Sequence, residues 1–121
     1  MPEKRKRLGK LAETLAAEHL RRKGYRILVQ NYRCRCGEVD IVALDGRTLV
    51  FVEVRAKSTT GFGTPQESVG HRKQAKLREV ARHYLASEQT RGTLCRFDVV
   101  AVQFDPKSGK VKEFEHIKNA F

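Results

Sequence analysis

Two acidic residues stand where acids are costly. Asp40 lies in Glu38-Val39-Asp40-Ile41-Val42-Ala43-Leu44, and Glu53 lies in the run Thr48 to Lys57; Val, Ile, Leu and Phe supply much of both stretches. Such runs read as strands inside a sheet. Carboxylates carried there repel one another and lose solvation, so they call for a counter-charge. A hard divalent cation meets that need, because carboxylate oxygens are natural ligands for Mg²⁺ and for the chemically similar Mn²⁺. Held there, such an ion could polarise a phosphodiester and activate a water. Arg55, two residues beyond Glu53, falls on the same strand face and could grip a phosphate with two hydrogen bonds. The same residues equally suit a structural ion-pair cluster in which Glu53 is neutralised by Arg55 or another base.

The elements that must hold these groups follow from the pattern around them. Asp45-Gly46 between the two runs is a strong hairpin signal. With those two residues as the loop, Leu44 would pair with Arg47, Asp40 would lie opposite Phe51 and Glu38 opposite Glu53, and the two acids would converge diagonally. Leu8, Leu11, Ala12, Leu15, Ala16 and His19 recur at helical spacing and predict a helix over 4–23, ending before Gly24, with Glu13 at the edge of its apolar stripe. A second helix is carried by Leu77, Val80, Ala81, Tyr84 and Leu85; Thr64-Pro65-Gln66-Glu67 has the form of its start, with Ser68 as a competing cap. Lys73 falls on its sheet-facing side one turn before Leu77, and Gln74 shares the broader face. Lys73 either snorkels out as a boundary residue or sets an ammonium beside bound phosphate.

Tyr25 to Tyr32, Leu94 to Phe104 and Val111 to Ile117 complete the strands, and Arg33 to Gly37 reads as a polar turn. The order is helix, three strands, helix, two strands, which predicts an α/β fold with a mixed sheet and helices packed against it. At 121 residues the chain accommodates one domain over 1–121, with a basic N-terminal extension at 1–7.

Lys and Arg number 25 against 14 Asp and Glu, a formal charge of +11. That imbalance points to a polyanion, since clustered positive charge gains from counterion release on phosphates. The candidate backbone contacts are Lys4, Arg5, Lys6, Arg7, Arg33, Arg35, Lys57, Arg72 and Lys76. DNA is the expected partner, with RNA an alternative. No apolar run reaches membrane-spanning length and no signal-peptide pattern opens the chain, so no membrane association and a cytoplasmic location are expected. Three cysteines exclude a fully paired disulfide framework; Cys34-Arg35-Cys36 has the form of half a metal site but lacks a second pair at suitable spacing, and reads as a tight turn holding two thiols.

Asn31-Tyr32-Arg33, Gly37-Glu38-Val39-Asp40-Ile41-Val42, Phe51-Val52-Glu53-Val54-Arg55, Ser68 to Leu77 with its Arg72-Lys73-Gln74, and Arg96-Phe97-Asp98-Val99-Val100 together resemble the YraN family of small bacterial proteins. The resemblance extends to the closing Ile117 to Phe121. That family is similar to the restriction-endonuclease-like superfamily and to Holliday-junction resolvases. It implies a restriction-endonuclease-like mixed β-sheet of about five strands flanked by helices. It also implies metal-binding acids at Asp40 and Glu53, a helical acid at Glu13, and a homodimer; the leading expectation is a phosphodiesterase using Mg or Mn as cofactor on DNA, branched or distorted DNA included. Such enzymes usually carry lysine two residues after the second acid, where this chain has Arg55; Lys73, and then Lys57, are the substitutes. The catalytic candidates are therefore Asp40, Glu53, Arg55, Lys73 and Gln74. Alternatives are a non-catalytic nucleic-acid-binding protein on the same fold and a structural adaptor in a repair or RNP complex.

Overall fold

The computed structural model describes residues 2–58, 69–88 and 94–121, with the side chains of 2–5 outside that description. The elements run α1 (Pro2–Arg22), β1 (Arg26–Cys34), β2 (Gly37–Asp45), β3 (Thr48–Lys57), α2 (His71–Ser87), β4 (Cys95–Phe104) and β5 (Val111–Ile117). The five strands form one sheet in the order β1-β2-β3-β4-β5. All neighbours are antiparallel except β3 and β4, which run parallel because α2 intervenes between them.

Each helix covers a different face. Ala12, Ala16, Ala17 and Leu20 of α1 pack on Ile41, Ala43, Val50, Val52, Val100 and Val102. Alanines dominate this stripe, so the helix backbone approaches the sheet closely. Leu11, expected on the stripe, is 44% exposed, because the buried row runs through Ala12, Ala16 and Leu20 instead. Leu77, Val80, Ala81 and Tyr84 of α2 pack on Val39, Val42, Leu49, Phe51 and Val99 from the opposite side. A mixed five-stranded sheet flanked in this way is a restriction-endonuclease-like fold.

Several local boundaries differ from the expected ones. Helix α1 begins at Pro2, two residues ahead of its expected start. Strand β1 runs on through Cys34, which pairs with Gly37, so the turn is only Arg35 and Cys36. Gly37 sits at φ +141, a conformation that side-chain-bearing residues rarely adopt, and a Cβ there would meet Val80 at 3.4 Å. Helix α2 begins at His71 after Gly70, which offers no side-chain cap; the expected start at Thr64 to Ser68 lies outside the described residues.

The central hairpin also departs from the predicted register. Asp45 pairs with Thr48 and Leu44 with Leu49, leaving Gly46 and Arg47 as the loop. Gly46 has φ +62 while Arg47 has no positive φ, as a type II′ turn requires of its two central residues. The expected loop, Asp45-Gly46, would have suited a type I′ turn. Asp45 is held in the strand by an ion pair to Arg96 of β4 at 2.9 Å. The two-residue shift preserves which side chains share a face and alters their opposition.

Candidate active site

With the observed register, the ladder ends at Ile41 opposite Val52, and Asp40 and Glu53 are the next residue of each strand. The two acids thus adjoin at the end of the ladder, where the predicted register set them on a diagonal. At that step a side chain takes over from the ladder: the Val54 N–H donates to Asp40 Oδ2 at 2.7 Å.

Asp40 lies at a reversal in the sheet. Gln30 pairs with Ile41 and Tyr32 with Val39. Positions two apart in a regular ladder share a face. Here Ile41 packs beneath α1 while Tyr32 and Val39 pack beneath α2. The strands turn over between these pairs, where Asn31 has φ +56. Asp40 is consequently met from both sides, by Glu13 of α1 and by Glu53 on the α2 face.

Glu53 is only 6% exposed. Lys73 in the first turn of α2 brings Nζ to 3.4 Å from Glu53 Oε2. This is a charge contact without a hydrogen bond, since Oε2 is buried and has no hydrogen-bond partner. Burial pushes the Asp40 carboxyl up to about 7; hydrogen bonding to Glu53 and its negative charge add to the shift, while the Val54 N–H and Lys73 oppose it. Glu13 is also raised, first by burial and then by the Asp40 charge, with a hydrogen bond from Asn31 working the other way. These carboxyls crowd one another with less positive charge than they need.

The donor set fits a small hard cation. Two carboxylates adjoin at the end of the β2–β3 ladder, and a buried oxygen of one has no hydrogen-bond donor. Among the described residues no group of three or more His, Cys, Asp and Glu side chains gathers closely enough to hold an ion. Glu13 therefore stands against Asp40 instead of closing a three-carboxylate cage. Mg²⁺, which binds through one or two carboxylates and keeps several waters, suits such a site.

The remaining candidates separate into two groups. Arg55 is half-buried on β3, two residues beyond Glu53, and Lys57 follows with the same alternation. Gln74 does not face the carboxylates with a free amide: Nε2 donates to the Val69 carbonyl at 2.9 Å, tying down the approach to α2. An open groove of about 310 Å³ at the β1–β2 turn is lined by Arg33, Cys34, Arg35, Cys36, Gly37, Glu38 and Lys76. Arg33 and Glu38 form an exposed ion pair across its floor at 3.0 Å. Lys76 lies one helical turn beyond Lys73, linking groove and carboxylates. Arg72, Lys6 and Arg7 are exposed; the side chains of Lys4 and Arg5 lie outside the described residues. Cys34 and Cys36 are free thiols on this turn, and Cys95 is exposed.

Two features escaped the sequence reading. Asn31 is one, although asparagine is among the few non-glycine residues that tolerate a positive φ. The other is Asp98, fully buried on β4. Its carboxylate accepts from Arg96 Nε at 3.0 Å and the Asn119 N–H at 3.0 Å, with His116 Nε2 at 2.8 Å. Burial alone would raise its pKa, but these contacts outweigh burial and hold it below the ordinary value. Asp98 lies on the α1 face with its own donors and is a structural hub. An acid interrupting the Val-rich run of β4 was the available signal.

Comparison with known proteins places this geometry in a family. The uncharacterised protein family UPF0102 matches residues 12–102. A UPF0102 protein of Pelotomaculum thermopropionicum is 50% identical over 121 residues, covering 100% of both chains. One from Moorella thermoacetica is 52% identical over 117 residues, 97% of each chain. One from Geobacter metallireducens is 44% identical over 116 residues, 96% of this chain and 93% of its own. No described helix is long and apolar enough to cross a membrane.

Proposed function

The chain belongs to UPF0102, the YraN family, and on that footing we propose that it is a divalent-metal-dependent phosphodiesterase acting on DNA, with branched or distorted DNA as its preferred substrate. The observation that carries this reading is the Asp40–Glu53 pair at the end of the β2–β3 ladder, with Glu53 Oε2 buried and lacking a hydrogen-bond donor.

Asp40 and Glu53 would hold Mg²⁺ or Mn²⁺, with Glu13 supporting Asp40 from α1. The bound ion supplies a Lewis acid that polarises the phosphodiester and neutralises developing charge. Lys73 retains 40% side-chain exposure while its ammonium reaches Glu53, so it can meet a phosphate oxygen without leaving the site. Arg55 stays protonated and serves phosphate binding better than proton transfer. Arg33, Arg35 and Lys76 would guide the neighbouring backbone along their groove. These contacts read phosphates and shape, which suits a substrate defined by its geometry. A homodimer would bring two such centres to one branched substrate.

Arg55 favours a second reading, a nucleic-acid-binding protein without catalysis, because arginine replaces the lysine expected at that step. Cleavage separates the two. Purified protein should nick flap, junction or supercoiled plasmid DNA only with Mg²⁺ or Mn²⁺, and the folded Asp40→Asn and Glu53→Gln variants should lose nicking. Cleavage surviving in either variant would remove the pair from the chemistry; salt-sensitive binding with no product under either ion would establish the second reading.

A further inference from the structure

We infer that Asn31 is a positioning residue for the carboxylate site, acting through Glu13 and Asp40. This rests on the metal-binding reading above and adds a residue outside the acids themselves. Asn31 is one of two non-glycine residues with positive φ among those described, and its neighbours Gln30 and Tyr32 pair with Ile41 and Val39, the residues on either side of Asp40. A left-handed residue inside a strand is costly and needs a compensating role.

Its backbone and side chain each contribute. The positive φ accompanies the reversal that carries Val39 to the α2 face and Ile41 to the α1 face, leaving Asp40 between them. The Asn31 side chain is a hydrogen-bonding neighbour of Glu13 that favours its charged form, and Glu13 in turn feels the negative charge of Asp40. Without that donor, two crowded carboxylates would share fewer partners and Glu13 would be free to swing out. Asn31 is itself exposed, so its side chain adds little to the core. An outer-shell group that orients a ligand without binding the ion has this signature.

Asn31→Gly isolates the amide, since glycine keeps the left-handed backbone available. Binding of Mn²⁺ alone, followed by electron paramagnetic resonance of the free ion, should weaken about tenfold in N31G, the scale of outer-shell losses. In a Glu13→Gln background the same substitution should have little further effect, because the contact it removes is already altered. Wild-type affinity in N31G would overturn the inference, as would the same tenfold loss with or without Glu13. Failure of N31G to fold while E13Q folds would also overturn it, making Asn31 a scaffold residue only. Wild-type protein that binds no Mn²⁺ would instead refute the metal site itself, and the role of Asn31 with it.

Discussion

Asp40→Asn should make the protein more stable at neutral pH while removing one of the two carboxylates proposed to hold the metal. In the unfolded chain Asp40 ionises near its ordinary value of 3.8, whereas in the fold its pKa is raised to about 7. Between those values the folded state holds a proton that the unfolded state has released. Stability from this group is therefore complete below about pH 4 and is lost as pH rises through about 7. The full excursion corresponds to about 4 kcal/mol at 1.36 kcal/mol per pK unit. Asp40 is only half-buried and shares its environment with Glu53, so water entry and relaxation reduce the expected loss to about 2 kcal/mol. Asparagine mimics the protonated acid: its oxygen can still accept from the Val54 N–H, and its NH₂ can donate to Glu53. Urea unfolding of both proteins from pH 4 to pH 8 gives the difference directly. The Asp40→Asn midpoint should move from near the wild-type value at pH 4 to about 1–2 M higher at pH 8, for a urea slope of about 1–2 kcal/mol/M. Added Mn²⁺ should stabilise the wild type and narrow the gap by mass action. A gap independent of pH, or one that shrinks as pH rises, would refute the account of crowded carboxylates.

Asp98 should behave in the opposite sense. Its depressed pKa contributes stability above the unfolded value, lost as pH falls through the folded one, and Asp98→Ala should cost about 3–5 kcal/mol by leaving buried His116 and the Asn119 N–H without their acceptor and Arg96 with Asp45 as its remaining carboxylate; thermal denaturation reads this. Lys73→Met should tighten Mn²⁺ binding several-fold by removing a competing positive charge, while slowing nicking by about tenfold or more. Equilibrium titration and single-turnover cleavage would separate those effects. Replacing Arg33, Arg35 and Lys76 together by Ala should lower the slope of log affinity against log salt for duplex DNA by up to about 3, which binding across a salt series would measure. An unchanged slope would place the phosphate track elsewhere.

Much of this arrangement is legible in the chain because alternation and helical spacing are local. The bounds of β3 and β5 and the sheet-facing position of Lys73 follow from their apolar neighbours. The Asp40–Glu53 face is also legible, since a two-residue register change leaves parity intact. Their adjacency at the end of the ladder is not, because it depends on whether Asp45 joins the strand. That choice is stabilised by Arg96, 51 positions away in the chain and on another strand. Gly46-Arg47 makes a weaker local signal than Asp45-Gly46, yet it satisfies the turn chemistry. Asn31 was hidden for a related reason: asparagine within a strand-like run reads as a polar residue facing water, and only the reversed packing of Ile41 and Val39 reveals the turn-over. Gln74 shares the face expected of it, but its amide is engaged by Val69, a contact set by the path of the chain before α2.

The plain sheet order has a consequence for the folding pathway. Both strand acids belong to a single hairpin, with only 14 positions separating Asp40 from the Val54 N–H that donates to it. Lys73 reaches Glu53 only when α2 docks along the connection that makes β3 and β4 parallel. Local contacts form before distant ones as a rule, so the hairpin should assemble while its carboxylates still lack Lys73. Crowded acids would then slow the earliest step of assembly, and refolding should quicken in mild acid, where they are protonated.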